Sequence, residues 1–185
     1  MSSAERALPL PTADPRVARR CAADLAVAAS RAGDAVITDE HRAGLALARS
    51  WSGPAADAAR AEAHTVGAWV ISLGEQLAAT AAALSGYADA VADAHRRVLA
   101  LREEWTAAER IRRVAVESAI ELPVAPVGAP ASLAGALSVQ QGRDLAEREW
   151  SRAQAQLCAR HAQVLAGLAT AGGRAAAALD AAVAR

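Results

Sequence analysis

From Ala55 to Leu122 the chain contains no proline, and within that run apolar side chains recur with a strict seven-residue period. Val70, Leu77, Leu84, Val91, Val98 and Trp105 form one series, and Leu73, Thr80, Tyr87, Ala94, Leu101 and Ala108 follow three positions later. A 3-4 spacing sustained over six heptads is a coiled-coil seam, and it dictates a single helix. At 1.5 Å per residue that helix extends for ~100 Å, with Gly67, Gly74 and Gly86 as places to bend. A compact globule has no room for it. The seam residues Val70, Leu77, Leu84 and Val91 are expected to bind a partner or a second copy.

The flanking segments supply helices to lie along it. Asp14-Pro15 is a helix start, since Asp caps free amides and Pro takes a first-turn position whose N–H has no helical partner. The first helix is expected over Pro15 to Ser50, with Val17, Cys21, Leu25, Ala28, Ala32, Val36 and Leu45 as an imperfect inner stripe. The long second helix starts at Pro54, capped by Ser52 or Gly53. The uncharged, Pro-rich stretch after Glu121 breaks it. A third helix is expected from about Ser138 to Val183, where Trp150, Leu157, Val164 and Ala171 alternate with His161, Leu168 and Ala175, and where Gly172-Gly173 frays the tail.

The expected fold is all-α: an elongated antiparallel helical hairpin or bundle with a Trp-Ser-Gly turn, a very long second helix and a third helix packed on its distal half. Residues 1–13 form a flexible N-terminal segment, 14–121 the hairpin, 122–137 a Pro-rich connection and 138–185 the last helix. Counting outward from the second turn sets Trp105 level with Trp150 and predicts an aromatic contact. Small-angle scattering is expected to give a radius of gyration well above the ~16 Å of a compact chain of this length.

Composition removes several function classes. Acidic and basic residues balance at 20 each, so no electrostatic footprint for nucleic acid is present. Every basic residue is Arg, and Lys, Asn and Phe are missing, a bias typical of GC-rich coding that inflates the Ala content. The start MSSAERALPLPTADP is polar and carries three prolines, unlike a secretory signal peptide. Ala63 to Ala88 has one ionised side chain, Glu75, but is filled with Ala, Thr, Ser, Gly and Gln rather than the ~20 apolar residues of a membrane span. No metalloprotease, phosphate-loop, nucleophile-elbow or CxxC motif occurs, and no enzyme is expected. Cys21 and Cys158 have level partners ~24 Å apart on the second helix, beyond disulfide reach, and are expected to be buried free thiols. His41 and His64, with Asp39, Glu40 and Glu62, lie level at the first turn, and His95 and His161 lie level at the second. Either pair could bind a metal, and the three carboxylates could complete the first site, but sites need three or four ligands at fixed geometry, so neither a metal nor a cofactor is expected.

The stretch WSGPAADAAR, Trp51 to Arg60, puts a Trp, a Gly and a Pro at one reversal between long helices. Gly53 can take a positive φ there, Pro54 starts the next helix, and Trp51 can cover the bundle end. This arrangement resembles the Trp-x-Gly (WXG) superfamily of type VII secretion substrates over about Asp14 to Glu121. The extra helix and Pro-rich connection look more like the larger PPE-like and Esp-like members. The resemblance implies a non-enzymatic protein exported without a signal peptide, cytoplasmic before export, recognised by a secretion ATPase through Trp51, Gly53 and Pro54. It also implies pairing, as a homo-oligomer or a heterodimer with another WXG-type chain. The family's second signal is Tyr-x-x-x-Asp/Glu. Tyr87 occupies its first place, but Val91 stands in the acidic one, so a paired chain would have to supply the complete motif. Tyr87 also falls on the seam, which gives it a core role. The PPE tripeptide is replaced by LPLP. A cytoplasmic coiled-coil scaffold or chaperone-like protein is the competing class, and a membrane-acting helical protein using Ala63 to Ala88 is a third. Detection in culture filtrate separates the first two, and liposome leakage tests the last.

Overall fold

The computed structural model describes residues 2–120 and 131–184, with side chains described except at 35–45, 47–50, 119–120, 131–138 and 183. Four helices follow in order: α1, Ser3–Ala7; α2, Pro15–Ser50; α3, Pro54–Ile120; and α4, Ala131–Val183. The protein is all-α with helical bundle character, one helix is 67 residues long, and no strand occurs among the described residues.

The helix starts follow from local chemistry. At α2 the Asp14 carboxylate accepts the Arg16 amide at 2.8 Å, with Pro15 in the first turn. At α3 the Gly53 carbonyl accepts the amides of Ala56 at 2.9 Å and Asp57 at 3.1 Å, again behind a proline. The last helix begins earlier than expected, at Ala131 rather than Ser138. No proline follows Pro130, and Ala131-Ser132-Leu133-Ala134 is sound helix-forming sequence, so the break need extend no further. The Pro-rich residues 121–130 lie outside the described residues.

The chain divides into two compact units that share α3 and α4: Met1–Thr12 with Asp93–Gly167, and Ala13–Ala92 with Leu168–Arg185. The division therefore does not follow the expected boundaries at 14–121 and 138–185.

The first unit is built on large side chains. Leu8, Val98, Leu101, Trp105 and Leu157 form its core with Ala4, and Ala7, Trp150 and Val164 pack against them. The expected aromatic pair is present: the rings of Trp105 and Trp150 meet edge to face, centroids 5.2 Å apart at 75°. The Arg112 guanidinium lies 5.9 Å from the Trp150 ring centroid and donates to Glu147 at 2.6 Å. Successive contacts between α3 and α4 run in opposite senses, from Arg112–Glu147 to Glu104–Arg160. Arg160 grips Glu104 through both guanidinium nitrogens. Those hydrogen bonds hold the Glu104 carboxyl below the usual glutamate range and raise the Arg160 guanidinium. A carboxylate depressed in the folded state contributes stability above its unfolded pKa of ~4.3, and that contribution is lost as pH falls through the folded value. Glu104→Gln is therefore expected to flatten the acid limb of the stability curve below about pH 4.3 and leave the alkaline side unchanged, read by thermal melts across pH. The effect is small because both side chains are about half exposed.

The N-terminal segment is not the flexible arm expected over residues 1–13. Ser2 caps α1 by accepting the Glu5 amide at 3.1 Å, and Glu5 reaches back to the Ser2 amide at 2.7 Å, closing a capping box. The Ser2 N–H holds the Glu5 carboxyl below its ordinary range. Leu8, at 0% exposure, then inserts into the core. Burial of that side chain, ~1.5–3 kcal/mol, covers only part of the cost of ordering the segment, and side-chain hydrogen bonds from α3 and α4 to its carbonyls hold it as well.

The second unit is built on small ones. Ala22, Ala56, Ala81 and Ala88 are buried with Thr80 and Val91. A Cβ on Gly74 would stand 3.4 Å from the Ala29 carbonyl oxygen, so α2 and α3 approach closely at that point. Arg19–Asp89 at 2.8 Å and Ala29 against Gly74 show the two helices running in opposite senses. The inner stripe of α2 keeps the expected Leu25 and Ala32 but otherwise differs from the expected one. Ala22 is buried and Leu25, Ala29, Ala32 and Gly33 are half-buried, whereas Val17, Cys21 and Ala28 are exposed. Close helix approach selects the small-residue stripe over the one with more valines; Val36 and Leu45 lie outside the described side chains. Between α2 and α3 runs a groove of about 850 Å³ lined mainly by Ala, Gly and Ser.

Candidate functional site

Trp51, Ser52 and Gly53 stand between the end of α2 and the start of α3. Gly53 sits at φ +108, where an L side chain is strained, and it is the one positive-φ residue among those described. The Trp51 carbonyl accepts from Arg60 Nη2 at 3.2 Å, and Arg60 also pairs with Asp57 at 2.5 Å, tying the turn to the first helical turns of α3. The indole of Trp51 remains 43% exposed, and Ser52, Gly53 and Pro54 are exposed with it. The turn thus offers an exposed aromatic surface beside the Arg60–Asp57 pair.

The other residues singled out from sequence do not converge there. Tyr87 lies about 50 Å along α3 from Pro54 by helix rise. It is half-buried, with its ring 3.5 Å from where a Cβ on Gly172 would stand. Of the four residues proposed as a partner-binding seam, Val91 is 0% exposed within this chain, and Val70, Leu77 and Leu84 are half-buried. All twelve positions of the two heptad series are buried or half-buried, because the chain's own helices cover the seam. Val91 lies in this chain's own core.

The exposed apolar groups are elsewhere. Trp69, immediately before Val70, is 63% exposed, and Val66 one turn earlier is exposed beside it. The heptad series itself carried the signal for Trp69, since a Trp one step off a seam points away from it.

Cys21 and Cys158 are free as expected but exposed, not buried. Each sits one step from an inward position, beside Ala22 and Leu157. Among the described residues no group of three or more His, Cys, Asp or Glu side chains is placed to hold a metal. His41, Asp39 and Glu40 lie outside the described side chains. His95 and His161 are engaged by the N-terminal segment: His95 Nε2 is 3.0 Å from the Pro11 carbonyl and His161 Nε2 is 2.9 Å from that of Pro9. Arg102 Nε donates to the Leu8 carbonyl at 2.9 Å, and Ser3 Oγ donates to Glu109 at 2.8 Å. This constellation went unread in the sequence, although Ser2-x-x-Glu5 is a capping-box signature ahead of LPLP. No described helix is long and apolar enough to cross a membrane. No protein-family model, curated protein or solved structure matches the chain.

Proposed function

We propose that this chain is a non-enzymatic helical protein of the WXG type, a substrate or associate of a type VII-like secretion system that acts by binding other protein chains. The observation that carries this is the turn: two long helices running in opposite senses, joined through Trp51-Ser52-Gly53, with Gly53 at a φ suited to glycine and Trp51 left 43% exposed. An indole buried at a bundle end would be explained by packing alone. One presented on a rigid turn is suited to recognition by another protein, the secretion ATPase in this proposal. Tyr87 serves as core, and a paired chain supplies the complementary acidic signal. Detection of the protein in culture filtrate of a strain with an intact type VII system, and its loss on inactivating the ATPase, is the direct test.

Pairing in this proposal uses Val66 and Trp69 of α3 rather than the seam. Exposed tryptophans are over-represented among residues that dominate interfaces. Trp69→Ala is expected to change folding stability by no more than ~0.5 kcal/mol, as for other surface substitutions. It is also expected to weaken association with itself or a paired chain at least tenfold, read by analytical ultracentrifugation. An unchanged association constant removes Trp69 from the interface.

A further inference from the structure

We propose that the face of α3 and α4 in the first unit is a binding site for an extended Leu-Pro-x-Pro peptide segment, which this chain fills with its own residues 8–11 and which the same kind of segment on another protein chain enters in its place. Donors and acceptors are sorted across this contact with unusual consistency. The helices supply only donors: Arg102 Nε to the Leu8 carbonyl at 2.9 Å, His161 Nε2 to that of Pro9 at 2.9 Å, and His95 Nε2 to that of Pro11 at 3.0 Å. A carbonyl only accepts, so both imidazoles carry a proton on Nε2. The segment in turn supplies acceptors, because Pro9 and Pro11 have no N–H to leave unpaired against a donor-only wall. Of the motif's two amides, that of Leu8 bonds back to the Ala4 carbonyl at 2.9 Å, and the other belongs to Leu10, which is exposed.

Leu8 is the anchor, fully buried among Val98, Leu101, Trp105 and Leu157. Leu8 and Leu10 each precede a proline, which bars the helical region and keeps the segment extended before it docks. Little conformational freedom is then lost on binding, as in other recognition of proline-rich strands. Among the described residues no backbone–backbone hydrogen bond joins the segment to α3 or α4. The site reads the carbonyls and one leucine of a peptide, and it needs no covalent link through Thr12 to do so. The chain's own N-terminus is a competitor built in cis. The proposal stands independently of export.

The test uses the whole chain with a protease site inserted between Thr12 and Ala13. After cleavage, residues 1–12 are expected to stay with the remainder on gel filtration and to exchange for a fluorescein-labelled peptide of the same sequence, giving a saturable rise in anisotropy. Leu8→Ala in the peptide is expected to weaken binding at least about thirtyfold. Arg102→Ala in the protein should weaken it about tenfold, as for loss of a charged hydrogen bond. The uncleaved chain is expected to bind the labelled peptide far more weakly, because its own segment competes. Circular dichroism follows the fold throughout. Three outcomes overturn the proposal: a folded, cleaved chain that takes up no labelled peptide; equal binding of a scrambled peptide; or loss of helix once the segment leaves, which makes residues 1–12 a part of the fold and not a ligand.

Discussion

Trp105→Ala is expected to lower folding stability by ~3–5 kcal/mol, the usual cost of truncating a buried indole in a core that cannot collapse around the gap. The side chain is 5% exposed and touches the largest residues of the first unit, whose apolar content is otherwise a few leucines and valines. For a chain of this size that loss is roughly a 6–20 °C fall in Tm. Trp150→Ala should cost less, because Trp150 is half-buried and lies at the edge of the cluster, although it also carries the Arg112 guanidinium. The double variant should fall short of the sum of the single losses by ~0.5–1.5 kcal/mol, the coupling of an edge-to-face pair. Equal midpoints for wild type and Trp105→Ala would show that the two rings do not share a core. Leu8 belongs to the same cluster, so thermal melts of Trp105 variants also report on how firmly the N-terminal segment is seated.

Long-period pattern was the most legible property of this sequence. The start of α2 at Pro15, its end at Ser50 and the start of α3 at Pro54 all stand where capping chemistry and proline placement put them. The level of Trp105 with Trp150 followed from counting outward along two helices, because a periodic element leaves one register free and the turn fixes it. What escaped was decided by neighbours that the sequence does not display. The inner face of α2 turned on whether large or small residues lie inward beside Leu25, and close approach at Gly74 settled it in favour of Ala22 and Ala29. The exposure of Cys21 follows from the same shift, whereas Cys158 is exposed because it stands one step off Leu157, which is buried where the heptad series puts it. The N-terminal segment reads as polar and proline-rich, hence flexible, until a surface of donors is available. Arg102, His95 and His161 come from two helices and meet only in the folded chain. The seam was visible as a seam, but a heptad pattern does not say whether its partner is another chain or the same one.

The turn yields the second large effect. Trp51→Ala is expected to abolish appearance of the protein in culture filtrate while lowering stability by only ~1–2 kcal/mol, short of the cost of truncating a fully buried indole, since Trp51 is 43% exposed. Gly53→Ala is a less clean probe. At φ +108 any side chain imposes ~1–3 kcal/mol of backbone strain, so this variant should lose export and some stability together. Leu84→Ala, half-buried on the seam, supplies the opposite control: a loss of ~2 kcal/mol with export reduced only as far as the folded fraction falls. Measuring secreted amount and Tm on the same three proteins separates a recognition surface from a packing role. If Trp51 merely closes the end of the bundle, its loss should track Leu84→Ala, with stability and export declining in proportion. A folded Trp51→Ala protein exported at the wild-type level would leave the turn as a structural device of two long helices and remove the basis for placing this chain in a secretion pathway.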